Sequence, residues 1–265
     1  MIDIILFTWN HSDLTLRCLD KIAVHTQTPY HIIWVDDGSE PEHRMAVKER
    51  LDSLAIRHSI IYLPKNKGPT VAINEGLKAS RTDFLVILNN DIMVTEGWLG
   101  KLSHHMEQMP EVGIIAALDG SGCTDWKKVR DRGNIISCGR SVENEEDAKD
   151  IVHIEPEGDP IEFFNKLPPL YFEVPRNIPF CCCMIRKDAL DEVGYLDETM
   201  RVFGQDNDFN ERMKLAGWKK AVAVDCYVEH LAHQTVKDVA KIKKIRARDK
   251  QALRRAREVR RGGAK

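Results

Sequence analysis

Four clusters in this 265-residue chain combine side chains whose types and spacing suit chemistry. Asn89-Asn90-Asp91 sets one carboxylate beside two amides. Oxygen sets of this kind hold hard divalent cations, and Mg²⁺ or Mn²⁺ so held keeps positions open for phosphate oxygens. The same residue types also make ordinary turns, because Asn and Asp bond to their own backbone. Asp36-Asp37-Gly38-Ser39 has a similar double reading. Its carboxylates can bind a ribose or a base N–H, while Asp37 or Ser39 can equally cap a helix. In Gly204-Gln205-Asp206-Asn207-Asp208, ahead of an amphipathic segment, Asp206 is either a helix N-cap or a general base. His230, in the run YVEHLAHQT with His233 nearby, follows a strand and is a further candidate, with a structural role as the plain alternative.

These residues need elements that bring them together. Ile2 to Thr8 is a short β-branched run that reads as a buried strand. Ser12 or Asp13 is placed to cap a helix running to about His25. The pattern then predicts strands over 31–35, 59–63 and 84–88 and helices over 41–54 and 70–79. Strands alternating with helices imply a mainly parallel sheet covered on both faces, an α/β fold. In such sheets ligands sit beyond the carboxyl ends of the strands. Three of the first four strands end in polar groups: Thr8-Trp9-Asn10, Asp36-Asp37-Gly38 and Asn89-Asn90-Asp91. They are expected to meet along one edge.

Beyond Asp91 the pattern predicts a helix over 98–109, a strand over 112–118, an irregular acidic stretch to Pro175, and a strand over 179–186. A helix over 205–216, stopped by Gly217, a strand over 219–224 and a basic helix over 237–261 complete it. Long irregular segments inside a domain are usually functional or mobile. No internal repeat is visible.

The composition, 43% hydrophobic, supplies enough apolar residues for one large domain or a domain with an appendage. A net charge of -2 does not argue for a nucleic-acid protein as a whole. The average hides an asymmetry: residues 236–265 hold 13 Lys and Arg against 3 Asp and Glu. Such a tail suggests a partner of its own. The seven cysteines show no zinc-type CxxC pair, and three are consecutive in an apolar run, so reduced buried thiols in a cytoplasmic protein are expected. The first ten residues lack the basic and apolar regions of a signal peptide, and no 18-residue apolar run offers a transmembrane span.

Taken in order, the segments FTWN, WVDDGS, NKGPTVAINEGL, FLVILNND, PFCCCMIRKDALDEVGYLDE, FGQDNDFNERMKLAGWK and VEH resemble the inverting family 2 glycosyltransferases of the GT-A fold. The resemblance covers roughly residues 2–233 and is poor from 119 to 175. It implies a Rossmann-like central sheet, an irregular acceptor-side region and a donor of the UDP- or dTDP-sugar type. Thr8 and Trp9 would contact the nucleotide base and Asp37 would bind it. Asn66 and Gly68 would flank the nucleotide. Asn90 and Asp91 fall on the metal-binding motif, with Asp91 a ligand for Mn²⁺ or Mg²⁺ and His230 completing the metal or diphosphate site. Asp206 matches the catalytic base.

Two departures bear on this. Asn89 stands at the first acidic place of the metal motif, which weakens metal dependence, and Gln205 precedes Asp206 where Glu is common. The expected division is a nucleotide-sugar subdomain over 1–118, an acceptor and catalytic subdomain over 119–235, and the basic tail over 236–265. A glycan or lipid-linked acceptor is expected. The tail is expected to serve localisation or acceptor binding, on an anionic membrane surface such as the inner face of the cytoplasmic membrane or on a polyanion. Two other readings remain. A nucleotidyltransferase would carry a Gly-rich basic loop after the first strand, which FTWNHSD lacks. A non-catalytic nucleotide-sugar module would not need Asp91, Asp206 and His230.

Overall fold

The computed structural model describes residues 1–119, 136–137, 140–141, 158–169, 171–174, 177–231 and 239–262. The acidic run over 142–150, His233, Cys123 and Cys138 lie outside the described residues.

Strands β1 (Ile2–Thr8), β2 (Tyr30–Asp36), β3 (His58–Tyr62) and β4 (Phe84–Asn89) alternate with helices α1 (Ser12–His25), α2 (Pro41–Ser53) and α3 (Pro69–Ala79). Then follow β5 (Ile92–Met93), α4 (Trp98–Gln108) and β6 (Val112–Asp119). A small hairpin pairs β7 (Ile136–Ser137) with β8 (Arg140–Ser141), and β9 is Tyr171–Glu173. The chain closes with β10 (Cys182–Arg186), a helix over Gln205–Leu215, β11 (Lys219–His230) and a C-terminal helix over Val239–Gly262.

The main sheet runs β3-β2-β1-β4-β10-β6-β11-β5, with β9 also against β11. The pairs β1–β2, β1–β4, β2–β3 and β6–β11 are parallel, whereas β10 runs antiparallel between β4 and β6. The mainly parallel α/β sheet expected from the sequence is therefore present. The chain reverses its direction of travel across the sheet at β1 and β4, and crevices at such switch points take ligands.

Alternation explains why the strands read as unbroken apolar runs. Ile4, Leu6, Ile32, Trp34, Val86 and Leu88 face one core with residues of α1, α2 and α4. Ile5, Ile33, Val35, Leu85 and Ile87 face the other, with α3 and Phe209 and Met213 of the helix Gln205–Leu215. A strand buried on both faces has no polar side to show. Gly76 lets α3 lie close on β1, since a Cβ there would collide with Ile5.

Three local expectations differ from the structure. Neither Ser12 nor Asp13 caps α1; the N-cap is His11, with left-handed φ 48°, after Asn10 at φ 52°. Ser12 instead bonds His43 Nδ1 at 2.9 Å, and the Asn10 amide donates to Ser39 Oγ at 2.7 Å. The turn after β1 is thus tied to the loop after β2. β10 begins at Cys182, not Pro179, because Asn210 takes both backbone groups of Ile178 (2.9 and 2.8 Å) and holds that segment on the helix Gln205–Leu215. β11 continues to His230 through Asp225, a residue that reads as a strand breaker. His105 Nε2 lies 2.7 Å from the buried Asp225 carboxylate and compensates its burial.

The C-terminal helix is docked on the body of the protein. Asp249 is fully buried and accepts the amides of Val202 (2.9 Å) and Phe203 (3.1 Å). Arg257 pairs with Glu211, and Arg260 with Asp208 at 2.6 Å. Leu253 packs near Gly204. Removing the Asp249 acceptors leaves two N–H groups unpaired, at about 1–3 kcal/mol. Asp249→Ala should lower unfolding stability by that amount in urea titrations, and Asp249→Asn, which keeps one acceptor oxygen, should lose less. Equal stability of wild type and Asp249→Ala would show that the docking contributes nothing.

Candidate active site

Parallel strands present their ends, and an antiparallel strand its beginning, to the same edge. β1 delivers Thr8 and Trp9, β2 Asp36 and Asp37, and β4 Asn89 to Asp91. β6 ends at Asp119, β11 at His230, and the antiparallel β10 starts just after Cys181. The expected convergence is real and wider than the sequence suggested.

The residues at the ends of β1 and β2 form a bonded group. Thr8 Oγ1 accepts from Trp34 Nε1 at 2.9 Å, and its carbonyl accepts the Asp37 amide at 2.8 Å. Trp9 is 42% exposed, an open ring at the strand edge. Asp37 is buried, and its two carboxylate oxygens accept the amides of Lys67 (2.7 Å) and Gly68 (2.8 Å). Burial pushes its carboxyl above the usual range, against the opposing pull of those two bonds. Asp37 therefore shapes the loop that carries Asn66 and Gly68. Gly68 has φ +99°, and a Cβ there would lie 2.5 Å from Arg201 Cγ, so only glycine lets Arg201 cross the loop. Arg201 donates to Asn66 Oδ1 at 2.6 Å.

At the end of β4, Asn90 Nδ2 donates to Thr15 Oγ1 at 3.0 Å. Asp91 is buried, with Oδ2 3.4 Å from His230 Nε2 and Oδ1 without a hydrogen-bond partner among the described residues. A buried carboxylate oxygen left unpaired is costly unless something positive meets it. Asp91 and His230, 139 residues apart in sequence, are thus brought together, and the donor chemistry fits a hard divalent cation.

Asp206 lies in the first turn of the helix Gln205–Leu215, whose N-cap is Gly204 at φ 91° with no side-chain cap. The capping alternative for Asp206 is overturned: glycine's left-handed φ makes the turn, and Asp206 is already helical. Burial pushes the Asp206 carboxyl above the usual range, partly offset by bonds to the Asn207 amide and its own. Among the described residues it has no basic partner. Asp208, two residues on, pairs with both Arg212 (2.9 Å) and Arg260 (2.6 Å). The segment before Asp206 is held from the nucleotide side as well, by Thr70 Oγ1 bonding the carbonyls of Met200 (2.5 Å) and Arg201 (3.0 Å).

Sequence reasoning missed Asp119, Cys181, Arg201 and Asp249. Asp119 ends an apolar strand, VGIIAALD, by the same logic that singled out Asp37 and Asp91. Cys181 and Arg201 carry no such local signal.

Relatives of this arrangement are known. The chain matches the family model "Glycosyl transferase family 2" over residues 3–194. It is 28% identical over 190 residues to the pre-mycofactocin glycosyltransferase of Mycobacterium tuberculosis, covering 70% of this chain and 34% of that protein. It is 31% identical over 106 residues to the uncharacterized glycosyltransferase YwdF of Bacillus subtilis, covering 40% of this chain and 38% of that one. The chain thus spans about a third of the length of these curated relatives. Its fold superposes on the mannosyltransferase PcManGT of Pyrobaculum calidifontis, solved with GDP-Man and Mn²⁺ (TM-score 0.63, 14% identity, 88% of this chain and 57% of that one). It also superposes on GalNAc-T7 with UDP, GalNAc and Mn²⁺ (TM-score 0.64, 16% identity, 87% of this chain and 43% of that one). With the strand-end site on one sheet edge and a family match covering most of its length, this chain belongs to glycosyl transferase family 2.

Proposed function

We propose that the chain transfers a sugar from a UDP- or dTDP-type nucleotide sugar to an acceptor hydroxyl, inverting the anomeric carbon, with Asp206 as general base. The observation that carries this reading is the contrast between Asp206 and Asp208. Two carboxylates on one helical turn have opposite environments: one paired with two arginines, the other without a basic partner and with its carboxyl pushed upward by burial. A base poised nearer neutrality is better matched to taking a hydroxyl proton.

Each residue then has a task. Trp9 offers a ring face on which a base can stack. Asp37 fixes the loop of Asn66 and Gly68 against the nucleotide and keeps lone pairs for a base N–H, while Thr8 and Asn90 line the crevice between β1 and β4. Asp91 and His230 are the residues that would hold Mn²⁺ or Mg²⁺, a reading that the Mn²⁺ in both solved relatives supports. Such a cation, when bound, neutralises charge on the departing diphosphate. Asp206 accepts the acceptor hydroxyl's proton, the oxygen attacks the anomeric carbon, and the bond to diphosphate breaks on the opposite face. No covalent enzyme intermediate forms. The acceptor is proposed to be a glycan or lipid-linked molecule, met on the 119–235 side. Lys243, Lys244, Arg246, Arg248, Lys250 and Arg254 are exposed on the C-terminal helix and suit an anionic membrane surface or a polyanion. Among the described residues no helix is long and apolar enough to cross a membrane.

Asp206→Asn should cut transfer by roughly 10² to 10⁴ while UDP affinity stays near wild type; Asp208→Asn is the control for loss of helix packing. Because folding raises the Asp206 pKa, the native state holds this proton more tightly than the unfolded chain. Its contribution to stability therefore falls as pH rises from the ordinary carboxylate range through the raised value. Transfer should accordingly climb with pH, with an apparent pKa above that of a free carboxylate, and Asp206→Asn should be no less stable than wild type at neutral pH. Retention of more than about a tenth of transfer, below the loss a missing base brings, moves the role to another carboxylate, with the exposed Glu229 next to be tested.

Asp91→Ala should weaken Mn²⁺-dependent UDP binding at least about tenfold, measured by calorimetry with and without EDTA. Binding unchanged in both would remove Asp91 and the cation from the reading. UDP should also quench fluorescence in wild type but much less in Trp9→Phe; equal quenching in the two would place the base elsewhere.

A further inference from the structure

The edge that carries Asp91 holds a second donor set. Asp119, Cys181 and His230 come from β6, the lead-in to β10, and β11, and one ligand atom from each lies within 4.8 Å of the other two. Asp119 and Cys181 are buried, with Cys181 Sγ 3.7 Å from Asp119 Oδ2. A tetrahedral cation with metal–sulfur bonds of about 2.3 Å and metal–oxygen or metal–nitrogen bonds of about 2.0 Å sets its ligand atoms roughly 3.5 Å apart. The Asp119–Cys181 separation already matches that edge. Three strands of one sheet fix the backbone of all three donors, so a small closure suffices.

We propose that Asp119, Cys181 and His230 form a site for a thiophilic divalent cation such as Zn²⁺ or Co²⁺. On binding, the Cys181 thiol gives its proton to solvent and the thiolate, one carboxylate oxygen and one imidazole nitrogen coordinate the metal. The donor set is softer than the all-oxygen sets that Mg²⁺ and Mn²⁺ prefer, and thiolate selects zinc-like ions. Three protein ligands leave a fourth position open. His230 Nε2 is also 3.4 Å from Asp91 Oδ2, so the two donor groups share one imidazole. A cation held by Cys181 and Asp119 draws His230 away from Asp91. Zn²⁺ is therefore an antagonist of Mn²⁺-supported nucleotide binding. The site stands on its own geometry, whereas this antagonism rests on the proposed role of Asp91.

The test is a Co²⁺ titration of the full chain, followed by the near-ultraviolet thiolate-to-cobalt charge-transfer band. Wild type should show the band, Cys181→Ser should lose it although the other six cysteines remain, and Asp91→Asn should keep it. Asp119→Asn, a milder change should Cys181→Ser fold poorly, should weaken Co²⁺ binding at least about tenfold. No band in wild type, a band that survives Cys181→Ser, or unchanged affinity in Asp119→Asn overturns the site. Zn²⁺ should also lower Mn²⁺-dependent UDP affinity in wild type and not in Cys181→Ser. A cobalt band without that effect keeps the thiolate site and overturns only its link to Asp91.

Discussion

The buried carboxylate of Asp37 holds the site in register. Its two oxygens accept the amides of Lys67 and Gly68, and this fixes a loop with little regular structure. From there the order is passed on by direct contacts. Asn66 receives Arg201, and Thr70 bonds the carbonyls of Met200 and Arg201. The next two amides, of Val202 and Phe203, are taken by Asp249 of the C-terminal helix. One residue later Gly204 turns the chain into the helix that begins Gln205-Asp206. The loop of Asn66 and Gly68 and the proposed base are thus two ends of one hydrogen-bonded path. Every backbone group along 200–203 named here is bonded to a side chain, which keeps an irregular segment as ordered as a helix.

Polar satisfaction is nearly complete around this path and then fails in one place. The buried side-chain oxygens without a hydrogen-bond partner among the described residues are Asp36 Oδ1, Asn89 Oδ1, Asp91 Oδ1 and Gln205 Oε1. All four belong to strand ends or to the helix start that the sheet edge gathers. A folded protein rarely leaves such groups alone, and those it leaves mark sites where another partner completes them. All four are acceptors, which favours cations and N–H or O–H donors over anions. Asp36 is half relieved by Arg44 at 2.7 Å, which leaves Asp91 the more exacting case.

Much of this was legible in the sequence, and the reasons for the rest are physical. Strands β1 to β4 and α1 to α4 could be read because their apolar runs are bounded by Gly, Pro and polar turns. The strand-end residues Asp37 and Asp91 could be read because parallel topology assigns them a common edge. The direction of β10 could not, since an unbroken run of buried residues looks the same in either orientation. Nor could the length of β11: Asp225 argues for a break until His105, 120 residues away, is seen to pair with it. Asp119 was passed over because the strand it ends leads into a stretch with no pattern, and Cys181 because a cysteine in an apolar run reads as packing.

The C-terminal helix shows how charge counting alone misjudges a segment. Its excess of Lys and Arg reads as a basic helical tail with a partner of its own, yet its inward side is also built into the fold. Asp249 and Leu253 face the body, and Arg257 and Arg260 meet Glu211 and Asp208 on the helix that carries Asp206. The part-exposed Arg257–Glu211 pair contributes little on its own, so the docking depends on the fully buried Asp249 with its two amides and on the buried Asp208 carboxylate that Arg260 meets. The remaining basic residues face outward and stay available to an anionic surface. One helix therefore joins two levels of the molecule. Asp249 bonds the segment just before Gly204, and Arg260 bonds the helix that carries Asp206. Asp249, a residue that neither the family motifs nor the charge pattern singles out, ties the basic helix to the segment that leads into Asp206.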